Sequence, residues 1–419
     1  MEPKAVRTDE VEKRRRAQAE QVFRLLAANA ILGDDDSVSW IAPVLKSTGW
    51  SVQPLLADLY SGLSGVALVV AAYCRETKMG RANAVPEIEA LQVPLQRSLL
   101  RMEERILEVS TSDVRVRPAA TGAYLGLASQ IYALLIVGRW TGYEGNELTR
   151  ACALAKKLVA TTSEHPTNDV ISGRAGAIVN LLRLASATRD VHYIDLACRL
   201  GDQLCAAAEW HGDSALWHGN EEGASAYSGF AHGATGIGWA LAQLAKTSGR
   251  VRYREVADAA FSFEESLYSE NDHGPPDLPA DATRDTTATW CYGAVGIGLA
   301  HLSLDPKCYE ARTRQTLLRS VATTIRSGFG RNHCLCHGDA GALELIGKAA
   351  ALGFQWPGPS QEALVQGFIT SLEDFGPACG TAARDAFAPG LLAGVGGVGY
   401  ALLKAHPESD LPSVLTLEC

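Results

Sequence analysis

Short apolar segments alternate with more polar segments along the whole chain, and each apolar segment follows the same glycine motif. The motif reads Gly-x-x-Gly or Gly-x-x-Ser, and the segment after it has the character of a buried helix. The polar segments, such as 193–209 and 309–325, place apolar residues three and four apart, as amphipathic helices do. The first glycines of the motifs are Gly62, Gly126, Gly173, Gly233, Gly293, Gly338 and Gly394. The pattern predicts seven helical hairpins, or about fourteen helices.

Seven hairpins are too many for a simple bundle, so we predict an all-α fold: an α/α toroid with an inner and an outer ring of helices. One domain is expected over residues 1–419, with an N-terminal capping arm in 1–50 and the seven-repeat toroid in 51–419. The inner helices of such a ring begin at one end. Residues just before the repeat glycines of neighbouring repeats should therefore lie side by side there. Segments 269–289 and 353–361, rich in Pro, Asp and Gly, are predicted surface loops, the first covering the site.

Composition narrows the function classes. The chain has 419 residues, of which 47% are hydrophobic, and a formal net charge of −9, which argues against nucleic-acid and anionic-membrane partners. No apolar run is long enough to cross a bilayer, and the charged stretch 2–16 lacks the apolar region of a signal peptide. Ten scattered cysteines are typical of a reduced protein rather than of a disulfide scaffold. We expect a cytoplasmic protein with no transmembrane segment and no nucleic-acid partner.

Three residues with metal-binding chemistry share a register in the repeats. Cys291 and Cys336 each stand two residues before a repeat glycine, and His337 follows Cys336 directly. Two thiolates and one imidazole leave the fourth tetrahedral position of a zinc ion open, as in catalytic zinc sites. Such a zinc ion can accept a further thiolate and keep it nucleophilic at neutral pH. We predict one zinc ion per chain on these three residues; the alternative is that all three belong to the core.

Other polar residues near the repeat glycines have more than one interpretation. His232 stands directly before Gly233 and is predicted to transfer the thiol proton, with a capping or core histidine as the alternative. Asp169 either caps a helix or orients His232 or a bound thiol. Tyr292 either hydrogen-bonds a developing oxyanion or packs. Cys334 competes as a ligand, although it lies outside the register of the other two cysteines.

Three motifs resemble the signature motifs of the lanthionine cyclases, the LanC-like proteins, in the family's order and spacing. They are Ala231-His232-Gly233, Trp290-Cys291-Tyr292-Gly293 and Cys336-His337-Gly338. The resemblance covers essentially the whole chain. Asp58-Leu59-Tyr60-Ser61-Gly62 and Leu411-Pro412-Ser413-Val414-Leu415 look like the C-terminal cyclase half of class II lanthipeptide synthetases.

This resemblance implies an α/α toroid with a zinc ion at its mouth. The zinc would bind cysteine thiols of a dehydrated precursor peptide, which add to dehydroalanine or dehydrobutyrine of the same peptide and form thioether rings. The implied site residues are the zinc ligands Cys291, Cys336 and His337, the acid/base His232, and the supporting residues Asp169 and Tyr292.

Two departures from the family pattern bear on the mechanism. Some members carry an arginine four residues before the first zinc cysteine, where this chain has Thr287, with Arg284 nearby but out of register. Class II enzymes also carry a dehydratase half before the cyclase domain. Because it is absent from this sequence, we expect dehydration by a separate dehydratase or by a missing domain.

Two other functions remain as alternatives. A zinc-dependent thiol alkyltransferase would need an apolar lipid pocket and a basic cluster, and the sequence shows no basic cluster near the motifs. A non-catalytic protein that binds a thiol, glutathione or a partner would not need His232 beside the ligand set.

Overall fold

The computed structural model is predominantly helical. It describes residues 3–46, 49–108, 120–142, 144–161, 167–218, 228–267, 288–380 and 386–419. In chain order the elements are α1 (Pro3–Ala28), β1 (Ile31–Leu32), β2 (Val38–Ser39), β3 (Ile41–Lys46), β4 (Gly49–Pro54), α2 (Leu63–Lys78), α3 (Pro86–Glu89), α4 (Gln92–Glu108), α5 (Leu127–Thr141), α6 (Glu144–Thr161), α7 (Arg174–Thr188), α8 (His192–Ala206), β5 (Glu209–His211), β6 (Ser214–Leu216), α9 (Ala234–Ser248), α10 (Val251–Ser266), α11 (Ala294–Leu302), α12 (Pro306–Ser327), α13 (Asp339–Ala351), α14 (Gln361–Phe375) and α15 (Val395–Lys404). The strands pair in antiparallel fashion as β1–β2, β3–β4 and β5–β6.

Seven helices form a closed inner ring. These are α2, α5, α7, α9, α11, α13 and α15, and each begins directly after a repeat glycine. Each packs against the next in this order, and α15 packs back against α2. The prediction of a ring whose inner helices start at the repeat glycines is therefore confirmed.

The other long helices form an outer layer. Helices α4, α6, α8, α10, α12 and α14 each pack against the inner helix that precedes them in the chain, and α1 packs against α15. The described residues thus contain seven inner and seven outer helices, which confirms the predicted α/α toroid. The seventh outer helix is α1, which lies in the stretch 1–50 that the sequence assigned to a capping arm outside the ring. The remaining helix, α3, has only four residues. The predicted loop 353–361 corresponds to the connection between α13 and α14.

Main-chain carbonyls of the preceding loop cap the inner helices. The repeat glycine at each N-cap is extended and offers no side chain, so the first N–H groups of the helix need other acceptors. The Leu63 N–H donates to Leu56 O at 2.7 Å, and the Asp339 N–H donates to Asn332 O at 2.8 Å. The second glycine of the motif permits this close approach: a Cβ on Gly236 would stand 1.8 Å from the carbonyl oxygen of Phe230. The glycine motif thus folds each loop tightly onto the start of its own helix.

The two layers differ in how they are buried. Residues 127–138 of α5 are all buried, as expected for a helix enclosed on every side. The outer helix α8 buries one face only, through residues such as Tyr193, Leu196 and Leu200. Each fully buried leucine of this kind contributes about 1.5–3 kcal/mol relative to exposure. Because the core extends around the whole ring, the framework does not depend on the residues at the mouth.

Candidate active site

The seven loops before the inner helices meet at one end of the ring, where main-chain hydrogen bonds tie them into a closed circle. We number loop positions backwards from the repeat glycine, so that the residue directly before it is position −1. With each N–H donor named first, the circle consists of Tyr60 to Tyr124 (3.0 Å), Tyr124 to Ile171 (3.1 Å), Ile171 to Ala231 (3.2 Å), Ala231 to Cys291 (2.8 Å), Trp290 to Cys336 (2.8 Å), Cys336 to Leu392 (2.9 Å) and Leu392 to Tyr60 (2.8 Å). All but one of these bonds join position −2 of two neighbouring loops. The circle therefore holds equivalent loop residues side by side.

Positions −2 and −1 face different environments. Five of the seven residues at −2 are buried, whereas every residue at −1 is half-buried or exposed. The residues at −1 are Ser61, Leu125, Ser172, His232, Tyr292, His337 and Ala393. The side chains at −1 thus form the solvent-facing surface of the mouth, and those at −2 lie beneath it.

The two predicted cysteine ligands, both at position −2, are in contact. A hydrogen bond from the Cys336 thiol lowers the pKa of Cys291 to about 7, against the effect of burial. The same contact, together with burial, raises the pKa of Cys336 well above its usual value. The two thiols therefore titrate as a coupled pair, in which Cys291 loses its proton more readily than Cys336. Thr289 Oγ1 also contacts the Cys291 sulfur, at 3.5 Å.

His337 is held in one orientation by the backbone of a distant loop. Its Nε2 lies 3.1 Å from the carbonyl oxygen of Gly380, so Nε2 carries the hydrogen and Nδ1 keeps its lone pair. Burial lowers the pKa of His337, which favours the neutral ring that a metal needs. A Cβ on Gly380 would stand 2.2 Å from Nε2, so only glycine fits against the imidazole in this arrangement.

Cys334 has a role in the turn that the sequence did not suggest. It occupies position −4, where its sulfur accepts the backbone N–H of His337 at 3.5 Å. The side chains at −4 in three other loops accept the N–H of their own −1 residue in the same way: Asp58 from Ser61 (2.8 Å), Asp169 from Ser172 (2.9 Å) and Thr289 from Tyr292 (3.3 Å). Burial raises the pKa of the Cys334 thiol to about 12. Cys334 therefore supports the loop that carries His337.

Of the functions considered from the sequence, Asp169 contacts His232 but does not cap α7, whose N-cap residue Gly173 receives no side-chain hydrogen bond. Its Oδ1 accepts the Ser172 N–H within its own loop, and its Oδ2 lies 2.9 Å from Nδ1 of His232 in the next loop. A carboxylate can only accept, so the hydrogen of His232 resides on Nδ1 and the lone pair on Nε2. Glu264, a buried residue of α10, accepts the Gly229 N–H at 2.9 Å and so fixes the start of the His232 loop.

Tyr292 and His232, both at position −1, stack on one another. Their ring centroids are 4.9 Å apart and the ring planes differ by 21°. His232 also lies close enough to Cys291 that a proton on its ring would lower the pKa of that thiol. The proposed proton-transfer residue therefore stands beside the thiol pair.

Sequence reasoning did not assign a role to Tyr60. Its hydroxyl group hydrogen-bonds the Cys336 thiol, and burial together with the nearby cysteines raises the pKa of the tyrosine well above its usual value. The sequence did contain one indication of this contact: Tyr60 occupies position −2 of its repeat, as Cys291 and Cys336 do in theirs.

The predicted metal ligands have the donor chemistry that zinc prefers, but the three side chains do not surround one common metal position. Among the described residues, no group of three or more His, Cys, Asp or Glu side chains could hold a metal ion. What fits is the donor chemistry: two thiols in contact, one of low pKa, and a neutral imidazole with Nδ1 available. The zinc ion therefore stays a prediction.

Some predicted features cannot be placed. Thr287, Arg284 and nearly all of the predicted covering loop 269–289 lie outside the described residues. Within the described part of the chain, none of the helices has the length and hydropathy of a membrane-spanning segment.

Comparison with known proteins identifies similarity along most of the chain. Residues 53–416 match the family model described as lanthionine synthetase C-like protein. Nisin cyclase has a similar structure, with a TM-score of 0.61 and 19% identity over 86% of this chain and 92% of that chain. Mannosidase Bt3792 of glycoside hydrolase family 76, from Bacteroides thetaiotaomicron VPI-5482, has a TM-score of 0.44 and 13% identity over 87% and 99%, too weak to support an argument. No curated protein sequence matches this chain.

Proposed function

Because this chain belongs to the lanthionine synthetase C-like family, we propose that it is a lanthionine cyclase. It would add cysteine thiols of a peptide to dehydroalanine or dehydrobutyrine residues of the same peptide. The observation that carries the proposal is the contact between Cys291 and Cys336 beside a histidine oriented by Asp169. A protein that only binds a thiol has no need of an oriented base, so this arrangement favours an enzyme over a passive thiol-binding protein.

We propose that Cys291, Cys336 and His337 hold one zinc ion. When bound there, zinc would lower the pKa of the substrate thiol and keep the sulfur nucleophilic. The protein residues prepare this donor set: Cys291 has a thiol pKa of about 7, and Gly380 leaves Nδ1 of His337 available. Tyr60 supports Cys336 by a hydrogen bond to its sulfur.

His232 is the residue that we assign to proton transfer. Its Nδ1–H bond to Asp169 leaves the Nε2 lone pair to take the proton of the substrate thiol. The sulfur then forms a bond to the β-carbon, and the electron pair of the carbon–carbon double bond moves toward the neighbouring carbonyl oxygen. Protonation of the α-carbon completes the addition, so product and substrate have the same mass. Because the thiol and the acceptor belong to one peptide, much of the rate can come from positioning.

The proposed substrate is a precursor peptide whose serines and threonines have already been dehydrated. We assign that dehydration to a separate dehydratase or to another domain, as in class II lanthipeptide synthetases, and place the reaction in the cytoplasm. The net charge of −9 and the exposed mouth residues are compatible with a neutral or basic peptide.

Alkylation of free thiols tests the proposal, since ring formation changes no mass. A synthetic peptide with one cysteine and one dehydroalanine is incubated with the protein, treated with a thiol-alkylating reagent and weighed. We expect the alkylated species to disappear with time, and zinc to be present at one ion per chain. Cys291→Ala should lose both zinc and cyclisation. Cys198→Ala, at a buried position of the outer helix α8, should retain both. Persistent alkylation by the unsubstituted protein would refute the enzyme assignment, and a zinc-free but active protein would refute the metal assignment.

A further inference from the structure

The segment that follows α15 lies in an unusual place. Residues 413–417 are almost completely buried, and Val414, Leu415 and Leu417 are each 0% exposed. This segment has no helix or strand of its own within the described residues. Its main-chain groups must therefore find partners among the surrounding side chains.

Side chains from around the inner ring supply those partners. The bonds run from Lys404 Nζ to Leu411 O (3.2 Å), Tyr400 Oη to Pro412 O (2.8 Å), Tyr124 Oη to Val414 O (2.9 Å), Trp290 Nε1 to Leu415 O (3.0 Å), Arg183 Nε to Leu417 O (3.0 Å) and Tyr132 Oη to Glu418 O (2.7 Å). The donors belong to α5, α7 and α15 and to the loops before α5 and α11. A segment bonded to members of a closed ring on several sides must occupy the hole of that ring.

The inner end of this segment forms the floor of the candidate site. Leu415 O accepts the indole N–H of Trp290, which directly precedes Cys291 and is 0% exposed. Tyr124 bonds the same carbonyl, at 3.0 Å, and packs edge-on against Trp290 with ring centroids 4.9 Å apart. The aromatic rings of Trp290 and Tyr124 thus lie beneath the thiols, and Leu415 lies beneath these rings.

Among the residues that the structure describes, the opposite side of the site faces solvent. The side chains at position −1, among them His232 and Tyr292, are at least partly exposed at the mouth. The reactive groups therefore have solvent on one side and residues 411–418 on the other.

We propose that the substrate peptide lies across the mouth and never passes through the ring, so that both of its ends leave on the same face. This inference rests on the proposed function, because it concerns the peptide that the cyclase would bind. It predicts that the enzyme acts on an internal segment of a polypeptide whose two ends are both blocked. A route through the ring would require at least one free end.

Four versions of one dehydrated peptide test the inference. The first is uncapped, the second carries a folded domain at its N-terminal end, the third at its C-terminal end, and the fourth at both ends. Flexible linkers of about 25 residues, with a mean span of roughly 25–30 Å, keep the domains clear of the mouth. This span is comparable with the inner helix α2, whose 16 residues measure about 24 Å.

Each single cap is expected to change the cyclisation rate by its own factor relative to the uncapped peptide. The doubly capped peptide should show the product of these two factors, within about threefold. The inference is overturned if both singly capped peptides cyclise and the doubly capped one does not, or if a cap at one end alone abolishes the reaction. Failure of the uncapped peptide would instead remove the proposed function, and the inference with it. The uncapped reaction therefore distinguishes the two kinds of failure.

Discussion

Replacement of Asp169 by asparagine should keep one hydrogen bond of the native carboxylate and reverse the other. In the native protein Oδ1 accepts the Ser172 N–H at 2.9 Å, and Oδ2 accepts the hydrogen of His232 Nδ1 at 2.9 Å. In Asp169→Asn the amide oxygen can keep the turn bond, because Ser172 N–H requires an acceptor. The amide NH₂ group then points toward His232, where only an acceptor nitrogen is tolerated.

The substitution should therefore invert the imidazole tautomer. With Nδ1 as the acceptor, the hydrogen moves to Nε2, and the outward nitrogen has no lone pair for the substrate proton. General acid–base catalysis typically contributes about 10²–10⁴ in rate, so we expect a fall of that size, or about 3–5 kcal/mol in activation free energy. The fold should persist, since the turn bond to Ser172 is kept.

Asp58→Asn is the matched control. Asp58 occupies the same position −4 and accepts the N–H groups of Ser61 at 2.8 Å and Gly62 at 3.1 Å. The residue at −1 of the following loop is Leu125, so no histidine depends on Asp58. Asparagine commonly replaces aspartate in such turns, and the cyclisation rate should stay within about threefold of the native rate.

The assay follows loss of the alkylated peptide with time for the native protein and both variants, at several pH values and with zinc content measured alongside. We expect Asp169→Asn to retain zinc while its rate falls. Equal rate losses in the two variants would show that the cyclisation rate depends on the turn and not on the orientation of His232. An unchanged rate in Asp169→Asn would refute the assignment of His232 as the base.

Three further substitutions test other parts of the structure. Tyr60→Phe removes the hydrogen bond to a site thiol and should weaken zinc binding about 10- to 100-fold in chelator competition. Tyr132→Phe, which loses a hydroxyl bonded to the carbonyl of Glu418, should not weaken zinc binding, and equal affinities in the two variants would contradict the supporting role of Tyr60. Burial lowers the pKa of His301 to about 3, so the folded state binds fewer protons than the unfolded state below about pH 6.5 and stability falls as the pH falls toward 3. His301→Leu should remove up to about 1.4 kcal/mol per pH unit of that dependence between pH 6 and 4 in denaturant titrations, and an unchanged slope would contradict it. Leu125→Asp, at the exposed rim of the mouth, should raise KM for an apolar peptide roughly tenfold. Leu318→Asp, on the outer helix α12, should leave KM unchanged. Equal KM values in the two variants would exclude this part of the rim from the peptide site.

The fold was predictable because its signal is repeated. Each glycine motif marks the start of an inner helix, and seven copies at related spacings leave little choice of architecture. The closeness of Cys291 and Cys336 was predictable for the same reason, since both stand at position −2. Nothing local distinguishes Cys334 as a turn acceptor, because a thiol seldom takes the place of an aspartate or threonine in a turn. The contact of Tyr60 with Cys336 joins the first repeat to the sixth, and its direction depends on packing that the register alone does not fix.

The circle of loop hydrogen bonds explains how a site can be built on this framework without weakening it. The bonds use N–H and C=O groups, so they are made whether position −2 carries tyrosine, isoleucine, alanine, cysteine or leucine. Position −4 supports the turn in four of the loops, and in the other three it is Gly122, Gly229 or Gly390. Positions −1 and −2 are therefore free to carry chemistry: the proposed zinc ligands and His232 occupy the fourth, fifth and sixth loops, and Tyr60 contacts Cys336 from the first. It follows that substitutions at Cys291, His232 or His337 should change metal binding or rate far more than stability, because the seven hairpins pack independently of them.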